Sequence, residues 1–270
     1  MTRMTRQNLV VVNFKMNLPT LRENEYWLDN FFRALKDYAP TKSELVLCPS
    51  LIFWEVFQKK IAQRKEDWIK MGAQNCFWED KGAFTGEISP VMIKSQQGKY
   101  IIVGHSERKR FLQENDEIIG RKIELILKNN LTPVFCVGES FEERRAGFTW
   151  KTLFGQLEKG LAKIKKNQIE KIIFCYEPIW AISANQPEFL PMDNDVMTAR
   201  LMIKKFIMER FDEKIAEQAR IIYGGSVDEK NFEKICLLAG MDGVLLGKTG
   251  LQVYNLLKII KFVERVAKEE

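Results

Sequence analysis

The sequence predicts an α/β fold, a closed (β/α)8 barrel in a single domain, on three observations. First, eight short apolar runs recur along the chain, most of them rich in valine and isoleucine and without polar alternation. Such runs are expected of strands buried on both faces of a parallel sheet. Second, the segments between them are long enough for a crossover helix, and several repeat apolar residues at helical spacing. Third, 270 residues with 46% hydrophobic content support one large core, and no Pro/Gly/Ser-rich linker divides the chain. An open doubly wound sheet shows the same strand–helix alternation and is the rival.

In order, the runs are Leu9–Asn13, Glu44–Cys48, Ile69–Gln74, Tyr100–Gly104, Thr132–Gly138, Lys171–Glu177, Arg220–Gly224 and Gly243–Gly247. Between the first two, Leu28, Phe31, Phe32 and Leu35 place one apolar face on a helix within Glu25–Tyr38. The polar stretch Gln74–Pro90 after the third run reads as a long loop. After the fourth run, the charged segment Arg108–Lys128 favours helix. Val253, Leu256, Leu257, Ile260 and Val263 mark the last helix, so the barrel proper spans about residues 9–265 of 1–270.

Composition excludes several classes. The net charge of +6 is spread along the chain, as on a lysine-rich solvated exterior, and singles out no nucleic-acid surface. No apolar stretch approaches the length of a membrane span, and the polar Met1–Gln7 leads into a run too short for a signal peptide. The five cysteines lie far apart with no C-x-x-C pair, and Cys48, Cys136 and Cys175 fall within strand-like runs. Buried reduced thiols and a cytoplasmic location are expected. With one histidine and scattered cysteines, no metal site is expected. Gly243 to Thr249 imitates a P-loop, but places three residues between its glycines where that motif needs four.

In such a barrel the active site lies at the C-terminal ends of the strands. The first run leads into Asn13-Phe14-Lys15-Met16-Asn17, and the fourth into His105-Ser106-Glu107. The sixth ends Tyr176-Glu177-Pro178, the seventh Tyr223-Gly224-Gly225-Ser226, and the eighth Gly247-Lys248. His105, the chain's one histidine, sits where a strand gives way to a helix. The positive N-terminal end there disfavours a second proton on the ring. Singly, Lys15 reads as a surface lysine, Glu177 as a strand-end charge, His105 as a structural histidine and Gly224-Gly225 as a plain turn. Together, at one mouth, they form an acid–base site beside an anion cradle.

These stretches, with Gly82-Ala83-Phe84-Thr85-Gly86-Glu87, Cys136-Val137-Gly138-Glu139 and Tyr176-Glu177-Pro178-Ile179-Trp180-Ala181-Ile182, resemble the triosephosphate isomerase family in order and spacing. The resemblance implies a TIM barrel and a cofactor-independent exchange of dihydroxyacetone phosphate and D-glyceraldehyde 3-phosphate. It makes Glu177 the base, neutral His105 the electrophile and Lys15 the electrostatic stabiliser, with Asn13 and Glu107 orienting them. It assigns phosphate binding to Ser183, Ser226, Gly247 and Lys248, with Asn13 and Lys15 beside the substrate. Pro178 to about Leu190 would be a lid carrying Trp180, latched by Tyr223 and Ser226. Thr85 and Glu87 would reach into a second copy of a homodimer.

Three departures stand out: Phe14 where the family usually has tryptophan, Lys248 where a second glycine is common, and a lid tip poor in glycine. Ser183-Ala184-Asn185-Gln186-Pro187 lacks two glycines and holds a stiffening proline, so slowed lid motion is expected. One alternative is an impaired barrel kept as a binding scaffold. A second is another phosphate-binding barrel isomerase with its acid–base pair at other strand ends.

Overall fold

Each of the eight apolar runs is a strand in the computed structural model, which describes residues 8–36, 38–182, 190–227, 231–237 and 239–267. The strands are β1 (Asn8–Asn13), β2 (Ser43–Cys48), β3 (Ile69–Ala73), β4 (Tyr100–Val103), β5 (Thr132–Val137), β6 (Ile173–Tyr176), β7 (Arg220–Tyr223) and β8 (Gly243–Leu246). Each pairs in parallel with the next, and β8 pairs with β1 from Leu9↔Gly243 to Val12↔Leu246. That closure removes the open-sheet rival.

Alternate residues serve two cores, because successive side chains on a strand point to opposite faces. Leu9, Val11, Val46, Cys48, Ile102, Val134, Cys136, Ile173, Cys175, Ile222 and Leu245 fill the lumen. Val10, Val12, Leu45, Leu47, Ile101 and Val103 face the outer helices. A run apolar at every position therefore has no solvent face to offer. Closure also depends on Gly243: with φ at 147°, a Cβ there would lie 1.9 Å from the Leu9 carbonyl oxygen.

The first helix is Leu21–Leu35, begun earlier than the apolar spacing indicates. Thr20 accepts from the Glu23 N–H while Glu23 accepts from the Thr20 N–H, a reciprocal cap that starts the helix four residues before the expected Glu25. It ends at Lys36, whose φ of 53° cannot continue a helix. Trp27 and Phe31 from this helix stack at 5.3 Å, and Phe14 meets Trp27 edge-on at 4.9 Å and Phe57 at 5.1 Å. Phe14 thus fills an aromatic niche beneath the first loop.

The helix expected over Arg108–Lys128 is broken in two, Ser106–Leu112 and Asp116–Lys128. Gln113 turns left-handed and Asn115 caps the second helix, accepting from the Ile118 N–H at 2.9 Å. Between them Glu114 turns inward and accepts from Arg108 at 2.7 Å and from the buried Lys122 at 2.6 Å. The last helix is Val253–Val266. Among the described residues, no helix is long and apolar enough to cross a membrane.

Candidate active site

Most of the expected runs overreach the strands by a residue at the C-terminal end. Gly104, Gly138, Glu177, Gly224 and Gly247 all follow their strands, so the site residues stand on the loops of one mouth. β1 ends at Asn13, and two residues later Lys15 adopts a φ of 50°, a left-handed conformation uncommon for a side-chain-bearing residue. Three contacts to its backbone hold it there. The Asn13 Oδ1 accepts the Lys15 N–H at 3.0 Å. The Lys15 carbonyl accepts from Gln74 Nε2 at 2.9 Å and from the Ser50 hydroxyl at 3.4 Å. Gln74 also donates to the Cys48 carbonyl at 3.0 Å, tying this loop to the end of β2. So held, Lys15 places its ammonium 2.7 Å from Glu107 Oε1, with both side chains partly open to solvent.

His105 caps the helix Ser106–Leu112, and its Nδ1 accepts the Glu107 N–H at 3.3 Å. A ring nitrogen that accepts an N–H carries no proton, so the proton of the neutral ring is on Nε2. That Nε2 lies 3.1 Å from Glu177 Oε1, with both side chains buried. The Glu177 carboxylate accepts two further bonds, from the Ser106 N–H at 3.0 Å and the Ser106 hydroxyl at 2.9 Å. Three donors therefore fix a carboxylate that has left water.

Glu177 is placed from behind by Gly138. The Glu177 N–H donates to the Val137 carbonyl at 2.8 Å, and a Cβ on Gly138 would lie 1.9 Å from the Glu177 carbonyl oxygen. Gly138→Ala is therefore expected to push the Glu177 backbone outward. Activity should fall by at least about tenfold, since small misplacements of a reacting group are costly. An unaltered kcat in the folded variant would show that Glu177's backbone position is not critical.

The neighbouring Glu139 is fully buried. It accepts from the Tyr176 hydroxyl at 3.0 Å and from the Trp180 indole N–H at 2.9 Å. Burial, and then the Glu139 charge, hold the Tyr176 phenol well above its ordinary range. The Arg144 guanidinium lies 4.6 Å over the Trp180 ring, 3.9 Å from Glu139 and 2.6 Å from Asp195. Pro178 and Trp180 thus start a segment anchored on a buried carboxylate.

Of the expected phosphate-binding residues, Ser226 donates its N–H to the Ala181 carbonyl at 2.9 Å, joining the seventh loop to the sixth. Tyr223 is buried at the end of β7, with its hydroxyl under Gly225. Gly247 and Lys248 open the short helix Lys248–Leu251, whose first N–H groups have no intrahelical acceptor. A Cβ on Gly247 would stand 3.8 Å from the Lys15 ammonium, so this turn borders the lysine. Ser183 and the lid tip 183–189 lie outside the described residues. Thr85 and Glu87 are exposed on a loop stiffened by Phe77 against Trp78 (4.0 Å) and Phe84 (4.6 Å).

The residues missed by sequence reading are Ser106, Gln74, Glu139 and Arg144. Ser106, beside the histidine, and Glu139 both stand in family-like stretches, and that placement was the available signal for them.

The chain is similar to known proteins over nearly its whole length. A family model described as triosephosphate isomerase matches residues 8–263. Curated relatives with that name include one from Dictyoglomus turgidum, 36% identical over 256 residues, covering 95% of this chain and 99% of the relative. One from Dictyoglomus thermophilum is 37% identical over the same shares. One from Thermodesulfovibrio yellowstonii is 36% identical, again over 95% and 99%. With its closed eight-stranded parallel barrel and this full-length match, the chain belongs to the triosephosphate isomerase family.

Proposed function

We propose that the whole chain is one catalytic domain that interconverts dihydroxyacetone phosphate and D-glyceraldehyde 3-phosphate through an enediolate. The observation that carries this reading is the Nε2 of His105 donating to Glu177, with the Lys15 ammonium at the same mouth. Glu177 leaves Ser106, takes a proton from one carbon and returns it to the neighbouring carbon. His105 donates from Nε2 to the carbonyl oxygen and moves the proton between the two oxygens. Lys15 stabilises the developing oxyanion by charge, a contribution of several kcal/mol in a site shielded from water. Asn13 holds the Lys15 backbone and Glu107 orients both the lysine and the histidine.

The phosphate is bound by N–H groups around Ser226, Gly247 and Lys248, with Ser183 contributed by the lid. Pro178 and Trp180 form the hinge of that lid, and Tyr223 and Ser226 latch it. The reaction needs no cofactor, and its place is the triose step of glycolysis and gluconeogenesis in the cytoplasm. The test is the rate of glyceraldehyde 3-phosphate conversion by purified protein. No turnover, with inorganic phosphate still bound, would overturn the reading in favour of a binding scaffold.

We also propose a homodimer seated on the Thr85 and Glu87 loop. Met16 is 94% exposed, Ile52 83% and Phe84 43%, and Ser50 touches the first loop, which brings Met16 and Ile52 to one rim. Apolar side chains so placed gain by burial against another copy. Light scattering at micromolar concentration should give twice the chain mass, and Phe84→Glu should give monomers. A monomeric wild-type protein refutes this assembly.

A further inference from the structure

Among the described residues, seven that bear side chains take a positive φ. Five of them, Lys36, Lys65, Gln97, Gln113 and Asn130, stand at or just past the ends of helices. There a left-handed turn is a common way to stop. Lys15 and Leu18 have no helix end to explain them, and both lie in the loop after β1. A side-chain-bearing residue keeps this conformation only where its surroundings hold it.

For Lys15 the contact from furthest along the chain is Gln74, one residue beyond β3. The β2–β3 register ends at Leu47↔Met71. Beyond it the Gln74 side chain takes over. Its Nε2 donates to the Cys48 carbonyl at 3.0 Å and to the Lys15 carbonyl at 2.9 Å. The same Cys48 carbonyl accepts the N–H of Phe14, the residue before Lys15, at 3.2 Å. One amide NH2 thus joins the ends of β1, β2 and β3 where the lysine backbone turns. Two carbonyl oxygens face it, so the position calls for two N–H donors.

We propose that Gln74 is a positioning residue for catalysis, whose NH2 fixes the left-handed turn of Lys15 and so aims its ammonium. This rests on the reading of Lys15 as the stabiliser of the developing oxyanion. Asn13 holds the Lys15 N–H and does not restrain its carbonyl. The Ser50 hydroxyl, at 3.4 Å, makes the longest of the three backbone contacts. Without Gln74 the Lys15 carbonyl turns towards the ordinary backbone regions. The Cα–Cβ bond turns with it and draws the ammonium off Glu107 Oε1, now 2.7 Å away.

The test is Gln74→Met, which keeps the length of the side chain and removes both donors. The kcat for glyceraldehyde 3-phosphate should fall at least about tenfold, because small misplacements at the reacting atoms are costly. A crystal structure of the variant should show Lys15 out of the left-handed region and its ammonium no longer bonded to Glu107. Gln74→Glu keeps the shape and sets a carboxylate against the two carbonyls, so it should lose at least as much. A kcat loss below about tenfold in either folded variant overturns the proposal. So does a larger loss with Lys15 still left-handed and paired with Glu107, since Gln74 then acts by some other route. If the wild-type protein turns over no triose phosphate, the functional reading fails. The position of Lys15 in the two variants then still decides whether Gln74 sets its turn.

Discussion

Glu177→Gln is expected to lower kcat for triose phosphate isomerisation by about 10²–10⁴-fold, the usual worth of a positioned general base. The substitution preserves shape and removes the one group here that takes a proton from carbon in the proposed reaction. The loss should appear equally in kcat and kcat/KM, because proton abstraction happens in the transition state and not on binding. It should also disturb the resting site. One Glu177 oxygen accepts from both His105 and the Ser106 hydroxyl, and the other from the Ser106 N–H. An amide has one accepting oxygen, so its NH2 must face at least one donor. That buried mismatch costs about 1–3 kcal/mol. A melting temperature lowered modestly, with activity nearly abolished, is the combined expectation. A kcat within tenfold of wild type would remove Glu177 as the base.

Strong alkali should unfold the protein between about pH 10 and 11 even with reductant present. Burial holds the Cys48 and Cys76 thiols and the Tyr100, Tyr176 and Tyr223 phenols above their ordinary values near 9 and 10. For Cys136, contact with Cys175 and then burial do the same. These groups are neutral in the fold and ionise in the unfolded chain. Their stabilising contribution is complete below the unfolded values and is lost as pH rises through them towards the folded values. With six groups, stability should fall by about 5 kcal/mol between neutrality and pH 10 and by about 12 kcal/mol by pH 11. A domain holds about 5–15 kcal/mol in all, so the second figure is of the size of the whole. Urea midpoints measured from pH 7 to 11 check this. A midpoint level through pH 11 would show that these groups ionise without unfolding the chain.

The barrel was legible because a strand buried on both faces leaves an unbroken β-branched run, and all eight are found within two residues of their expected starts. Lys15, His105 and Glu177 were legible because chemistry-bearing residues fall at the ends of those runs. What stayed hidden depends on partners remote in sequence. Glu139 stands in one of the family-like stretches, but what it does emerges only when Tyr176 and Trp180 are seen donating to it. Gln74 gains meaning from the Lys15 carbonyl, 59 residues away. The break at Gln113–Asn115 was hidden because charged residues on both sides favour helix, while one capping asparagine and the inward turn of Glu114 decide otherwise. The thiols of Cys48, Cys76, Cys136 and Cys175 are buried and free, as expected of the strand cysteines.

The pairing of β8 with β1 sets the order of events at birth. Seven strands can line up as the chain emerges from the ribosome, yet the lumen stays open until Gly243–Leu246 has been made. Until then β1 and β7 each present an unpaired row of backbone donors and acceptors beside apolar side chains, a template for joining other nascent chains. A chain stopped before residue 243 should therefore aggregate instead of accumulating as a smaller soluble barrel. The helix Val253–Val266, which follows β8 in the chain, packs over β1 and β2.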